Sequence, residues 1–406
     1  MIWPFTRWRE QRAQRWKLSQ LSSWSDMGIG SGPTVAGIDV TPERALSVPA
    51  VFGCVSVLAQ DVAKTPIKLR RREAGETFVD ATDHGLWEIL HSLPNAEQTA
   101  YDFKRQMMVD LLAHERAYAE IVRVDGRVVA LWRLDPTAVH VDRDEQRRKR
   151  YRVTLADGRQ QTWTFDPSRP PIFELAHPSP IRQCRDLIGT ALALQTYVGK
   201  FFANGARLGG VLQADGVLGD EVVNRLRESF DARQSGSYNA FRVAILEQGL
   251  KWQSIAAPNS DAQLNETLIT IATQIAGAFR VPTWKIGDLT KATYSNMEAG
   301  ENAYATGTLD PFFTCWEHAI RRDLLTTRQY GRFDVAFDRS TLIRNDIKSL
   351  HEALARGRDA GIYSVNDARK ALGLNPISAA EGGDAYLVNG NMLPITEAGR
   401  RQEQTP

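Results

Sequence analysis

Cysteine is scarce: Cys54, Cys184 and Cys315 are the only three in 406 residues, an odd number spaced about 130 residues apart. That excludes a disulfide framework and a clustered metal site, and the expectation is three buried thiols in a reducing compartment. Net charge is nearly absent, with 50 Lys and Arg against 48 Asp and Glu giving +2. A protein whose whole surface grips nucleic acid is excluded, so any basic site must be local. Long apolar runs are missing as well. The longest uncharged stretch, Ala45 to Gln60, is 16 residues with Pro49 inside it, short of the ~20 that span a bilayer. The N-terminal MIWPFTRWRE meets Arg7 before a secretory apolar run can form, so a soluble, cytoplasmic chain with no membrane partner is expected. Core-forming residues are there in ordinary measure: 43% apolar and 24% charged is a globular composition, and this length suggests about three domains.

Catalytic motifs are also missing. Gly199 and Lys200 are followed by Phe201, and position 194 is Leu, so no phosphate-cradling loop forms. His114 and Glu115 begin a zinc-protease run that Tyr118 breaks. Ser31 has Ile29 where a nucleophile elbow needs glycine. Asp142 and Asp144 are the nearest thing to a metal pair, and the seven histidines are scattered. No catalytic residue, cofactor or metal is expected. Two rival readings are a metal-dependent nuclease using Asp142 and Asp144 and a membrane-surface scaffold using the Trp- and Arg-rich head.

The patterning is that of an α+β protein. Residues 1–40, basic and Trp-rich and then Gly-rich, read as a flexible arm, and 396–406 as a frayed tail. Thr41, Pro42 and Glu43 open a helix that runs to about Ala63; PIKLRRR is a strand; Asp83 and Thr99 begin helices. Between Ala117 and Leu175 two hairpins of one antiparallel sheet are expected, with the basic run Arg147 to Arg150 in a solvated loop. Thr190 is a cap for a long amphipathic helix. A strand near Val211, a helix capped by Asp220 and the pair FRVAILE and LKWQSIA form a small αβ module. Ser260 with Gln263 caps a second long helix with the face Leu264, Leu268, Ile271, Ile275 and Phe279. The loop TWKIGDLTKATY follows, then a helix of about 30 residues from Ser295 that Pro311 should bend. A strand at FDVAF and helices near 343–358 and 364–372, stopped by Gly361 and Gly373, complete the pattern.

Two long amphipathic helices projecting a small module need neighbours to cover them. In this order the blocks ERALSVPAVFGCVSVLAQDVAKTPIKL, LPNAEQTAYDF, AYAEIVRVDGRVVALWRLDP, FFANGARLGGVL, LEQGLKWQSI, VPTWKIGDLTKATYSNME and SVNDARKALGLNPI resemble the portal proteins of tailed bacteriophages, in the HK97-type lineage, from about Thr41 to Ile395. The pattern departs at His114 to Arg116, where the family has a Gly-Asn turn, and at Thr283 and Trp284.

The resemblance implies a portal-type fold assembling as a homo-dodecameric ring at one capsid vertex, in the virion after assembly in the host cytoplasm, through which double-stranded DNA is packaged and ejected. It implies a wing at 41–186 with the kinked helix and strand of 297–340, stem helices at 187–208 and 259–281, a clip at 209–258, a tunnel loop at 282–296 and a crown at 341–395. Implied partners are further copies of the chain, the DNA, the large terminase subunit, the major capsid protein and a head completion or adaptor protein. The implied channel residues are Trp284, Lys285, Asp288, Lys291, Thr293 and Tyr294; the stem oligomer face is Leu264, Leu268, Ile271 and Ile275; the clip docking residues are Asp220, Glu221, Arg225, Glu228 and Arg233. Residues 209–325 hold 10 basic and 14 acidic side chains, and net acidity suits DNA that must slide, because each cation on a phosphate adds counterion-release affinity. Lys285 and Lys291 are the exceptions: sparse DNA contacts, or partners of a neighbouring subunit's carboxylates.

Overall fold

The structure, a computed structural model, describes residues 34–73, 78–155, 157–203, 210–213, 219, 221–225, 251–254, 261–289, 300–339, 342 and 347–386. The proposed arm up to residue 33, FRVAILE, Ser260 and the tail from 387 lie outside them. The Thr41 hydroxyl caps α1 (Pro42–Leu46) by accepting from the Arg44 amide at 3.3 Å. The helix does not continue to Ala63 unbroken. Pro49 holds Val48 extended, at φ −79° and ψ 118°, and starts a new helix, α2 (Pro49–Lys64). α2 buries Val51, Cys54, Val55, Leu58 and Val62, and burial pushes the Cys54 thiol up to about 12, leaving it an unreactive core residue.

β1 (Ile67–Arg72) lies between β2 (Phe78–Asp80) and β11 (Phe333–Phe337), antiparallel to both, so the two ends of a 270-residue span meet in one sheet, Ile67 opposite Phe337. α3 (Gly85–His91) is capped by the His84 ring rather than by Asp83. Thr99 caps α4 (Ala100–His114) as expected, and α4 buries Phe103, Met107 and Leu111. It ends at Glu115, whose φ of 65° is a left-handed conformation that glycine and asparagine adopt more readily.

The strand region departs from the expectation of a single sheet. β3 (Arg116–Val124) pairs with β4 (Arg127–Leu134) on one edge and with β8 (Ile172–Ala176) on the other. β5 (Val139–Arg143), β6 (Lys149–Thr154) and β7 (Gln160–Thr164) form a separate antiparallel sheet. A short 3-10 turn at Pro136–Ala138 redirects the chain after β4, and β8 then occupies the edge of β3 to which another hairpin would have had to add. Tyr118, Tyr151 and Ile172 weld the two sheets, the tyrosine rings edge-to-face at 6.2 Å. Lys149 and Arg150 therefore open a strand instead of lying in a solvated loop.

After α5 (Pro180–Gln183), α6 (Arg185–Ala203) begins five residues before Thr190, whose hydroxyl donates to the Asp186 carbonyl inside the helix at 2.9 Å. β9 (Gly210–Gln213) pairs with β10 (Lys251–Ser254), and with the helical residues 221–225 they are the main described parts of the small module. α7 (Asp261–Ala278) packs on α2 and α6. The bend expected at Pro311 is a π-helical turn at Ala305–Leu309, between helical residues 300–304 and α8 (Asp310–Leu324). Widening the turn before the ring accommodates a residue that lacks an amide donor. α8 buries Phe312, Phe313, Trp316, Ile320 and Leu324, the predicted face.

Residues from Asp338 onward form a second compact unit. Its α9 (Ile347–Asp359) and α10 (Val365–Ala371) are followed by Gly361 and Gly373, both at positive φ, and Ser364 with Asp367 closes a capping box on α10.

Candidate functional site

Two clusters of buried charge stand out. The first lies where α7 hands the chain to the loop. Pro282 starts a 3-10 turn at Thr283–Ile286, closed by Gly287 at φ 99°. Its side chains are docked: Trp284 lies against Gly300, where an added Cβ would meet the ring at 2.2 Å, and Ile286 lies against Gly53 of α2, where an added Cβ would meet it at 3.2 Å. Glycine at both positions is what lets the turn approach so closely. Between them the Lys285 ammonium pairs with Glu301 at 2.7 Å and Asp61 at 3.7 Å and stands 4.7 Å from the centre of the Tyr304 ring. Asp61 also accepts from the Tyr304 hydroxyl at 2.9 Å and from Lys64 at 2.6 Å. Burial, with the Asp61 charge beside it, pushes the Tyr304 phenol up, so it stays a neutral donor.

The second cluster is centred on Glu174 of β8, 3% exposed. Its carboxylate accepts from Arg116 and Lys149 at 2.5 Å each and from the Tyr151 hydroxyl at 2.7 Å. Burial alone would raise its pKa, but the Lys149 and Arg116 charges and these hydrogen bonds outweigh it and hold the carboxyl below its ordinary value. Asp323 of α8 accepts from the Glu174 amide at 3.1 Å, and Arg322 donates to the Glu174 carbonyl at 2.8 Å. Both sheets and α8 thus meet on one residue, the sheets at its carboxylate and α8 at its backbone. The carboxylate is buried and already accepts from three donors, which is the arrangement of a structural joint.

Asp142 is bound by Arg150 at 2.7 Å and by Arg152 at 2.9 Å, and Asp144 by Arg148 at 2.8 Å. Among the described residues no group of three or more His, Cys, Asp or Glu could hold a metal ion, and no helix is long and apolar enough to cross a membrane. The metal-pair reading of Asp142 and Asp144 therefore has no geometry behind it.

The family model described as "Phage portal protein" matches residues 49–373. The chain belongs to the phage portal protein family. A probable portal protein of Streptomyces phage phiC31 is 31% identical over 381 residues, covering 89% of this chain and 82% of that one. The portal protein of Enterobacteria phage HK97 is 26% identical over 412 residues, covering 95% of each. The fold is shared with an HK97-family phage portal protein from Corynebacterium diphtheriae, at a TM-score of 0.56 and 18% identity over 74% of this chain and 96% of that one. It is also shared with a chain in the neck of an empty GTA particle computed with C6 symmetry, at a TM-score of 0.56 and 24% identity over 82% and 93%.

The channel residues named for this portal chain divide in two. Trp284, Lys285 and Asp288 lie in the docked turn, and Lys291, Thr293 and Tyr294 fall outside the described residues. The carboxylates that hold Lys285 belong to its own chain, not to a neighbour. On α7, Ile271 and Ile275 are buried within the chain, Leu268 is half-buried, and the side chain of Leu264 falls outside the description. Among the described side chains of α7, the exposed large apolar one is Ile269, 48% exposed. Of the clip residues, Glu221 and Arg225 are exposed on a helical turn, and Asp220, Glu228 and Arg233 are outside the described residues. Sequence reasoning missed both charge clusters. A lone glutamate in the apolar strand IFELA and a lone aspartate on the buried face of α2 were the available signals.

Proposed function

We propose that twelve copies of this portal-family chain form a ring at one capsid vertex through which double-stranded DNA is packaged and ejected, assembled in the host cytoplasm and retained in the virion. The observation that carries this is the family match over residues 49–373. The subunit number is the one that the family resemblance implies. On this reading the wing is 41–186 with 297–340, the stem 187–208 and 259–281, the clip 209–258, the tunnel loop 282–296 and the crown 341–395. The clip, through Glu221 and Arg225 with Asp220, Glu228 and Arg233, receives the large terminase subunit and later a head completion protein, while the wing meets the major capsid protein. The chain acts as a conduit and docking platform and carries no reaction of its own.

The deciding experiment is native mass with negative-stain imaging of the purified chain. Twelve copies of 45.4 kDa give roughly 545 kDa and a ring with a central hole. A chain that stays monomeric even beside its own capsid protein overturns the conduit reading.

A further inference from the structure

We infer that Lys285 is a positioning residue: it latches the segment leaving α7 onto α2 and the helix at 300–304, acting through Glu301 and Asp61 and not on DNA. This rests on the reading of 282–296 as the channel loop. The Lys285 side chain is 16% exposed and its ammonium is already engaged from two sides, by Glu301 at 2.7 Å and Asp61 at 3.7 Å, with the Tyr304 ring 4.7 Å away. A phosphate reaching it would have to displace a charge-assisted hydrogen bond and compete with two carboxylates of the same chain. Trp284 on Gly300 and Ile286 on Gly53 brace the turn on either side, so the ion pair sits in the middle of a fixed three-point contact. The wing then sets where the loop begins, and any reach into the channel belongs to residues beyond the turn.

A latch and a DNA contact predict opposite effects of removing the acid. If Lys285 holds the turn, Lys285→Ala and Glu301→Gln act alike, because either one breaks the same pair. If Lys285 grips DNA, Lys285→Ala weakens the grip and Glu301→Gln frees the cation and strengthens it. The first readout is amide hydrogen exchange in the full chain, at Lys285, Gly287 and Asp288, whose amides donate to Pro282, Trp284 and Thr283 within the turn. Both variants should speed exchange there roughly tenfold, as expected on losing one charge-assisted hydrogen bond. Lys285→Arg, which keeps a cation within reach, should restore protection. Glu301→Gln with unchanged exchange overturns the latch, and Lys285→Met, which retains the packed stem, repeats the test if Lys285→Ala fails to fold. The second readout is DNA-filled particles assembled with each variant. Losses in both variants support the inference; opposite changes overturn it. Faster exchange with normal filling upholds the latch and overturns the assignment of 282–296 to the channel.

Discussion

Replacing Glu174 with Gln should destabilise the first unit more than any single surface change. The substitution keeps the shape but leaves Arg116 and Lys149, 16% and 27% exposed, facing a neutral amide. Stranding a cation in a buried pair costs about 3–5 kcal/mol, and because Lys149 retains a route to solvent the lower end applies, about 3 kcal/mol. For a unit of this size that lowers Tm by about 4 °C, read by differential scanning fluorimetry at pH 7. The same variant has a pH signature. A carboxyl held below its ordinary value contributes stability that is present above about 4.5 and lost as pH falls through its lower folded value. Asp110 and Asp323, raised by burial, contribute with the opposite sign, so the readout is the difference between wild type and Glu174→Gln, which should shrink below pH 4.5. A loss under about 1 kcal/mol, or a difference that does not change on acidification, would refute the joint.

Lys104 gives the converse test. It is 4% exposed, donates to the Thr65 carbonyl at 2.6 Å, and burial holds its pKa down to about 8. Between about 8 and its ordinary 10.5 the unfolded chain binds more protons, so stability should rise with pH across that window and Lys104→Met should flatten the rise in urea titrations. In the second unit, the Asn366 side chain bonds the Ile377 amide and carbonyl and the Asp384 carboxylate at 2.8–2.9 Å. Asn366→Ala should lower protection of 377–384 in hydrogen exchange while leaving exchange in α2 and α8 unchanged.

The parts of the fold that one stretch of chain determines were legible in its residues. Thr41, Thr99 and Ser364 cap helices because their hydroxyls and the amides they serve lie three residues apart, and Pro311 announces its bend by lacking a donor. What failed depended on distant partners. The hairpins split between two sheets because β8 takes the free edge of β3, and nothing between Ala117 and Thr164 encodes that. Likewise a lysine reads identically whether its anion is a phosphate or Glu301. Ile271 and Ile275 recur at helical spacing for any covering surface, and both are buried within the chain itself.

The buried ion pairs obey one physical rule. A buried ion pair adds little net stability over an apolar substitute, yet breaking it is expensive, so its effect is to make one relative placement of its elements far better than neighbouring ones. Glu174 does this where β3, β6 and β8 meet α8, Asp61 where α2 meets the turn, and Asp110 where α4 meets β4 through Arg133 at 2.6 and 2.7 Å. An apolar contact slides under load, since dispersion and burial change gradually over an ångström; a charge-assisted bond to a buried carboxylate is far more sensitive to distance and angle. On the proposed reading, DNA is driven through the ring past the segment after α7. Placement that resists sliding is then worth more than added stability, and the three carboxylates are where the chain builds it.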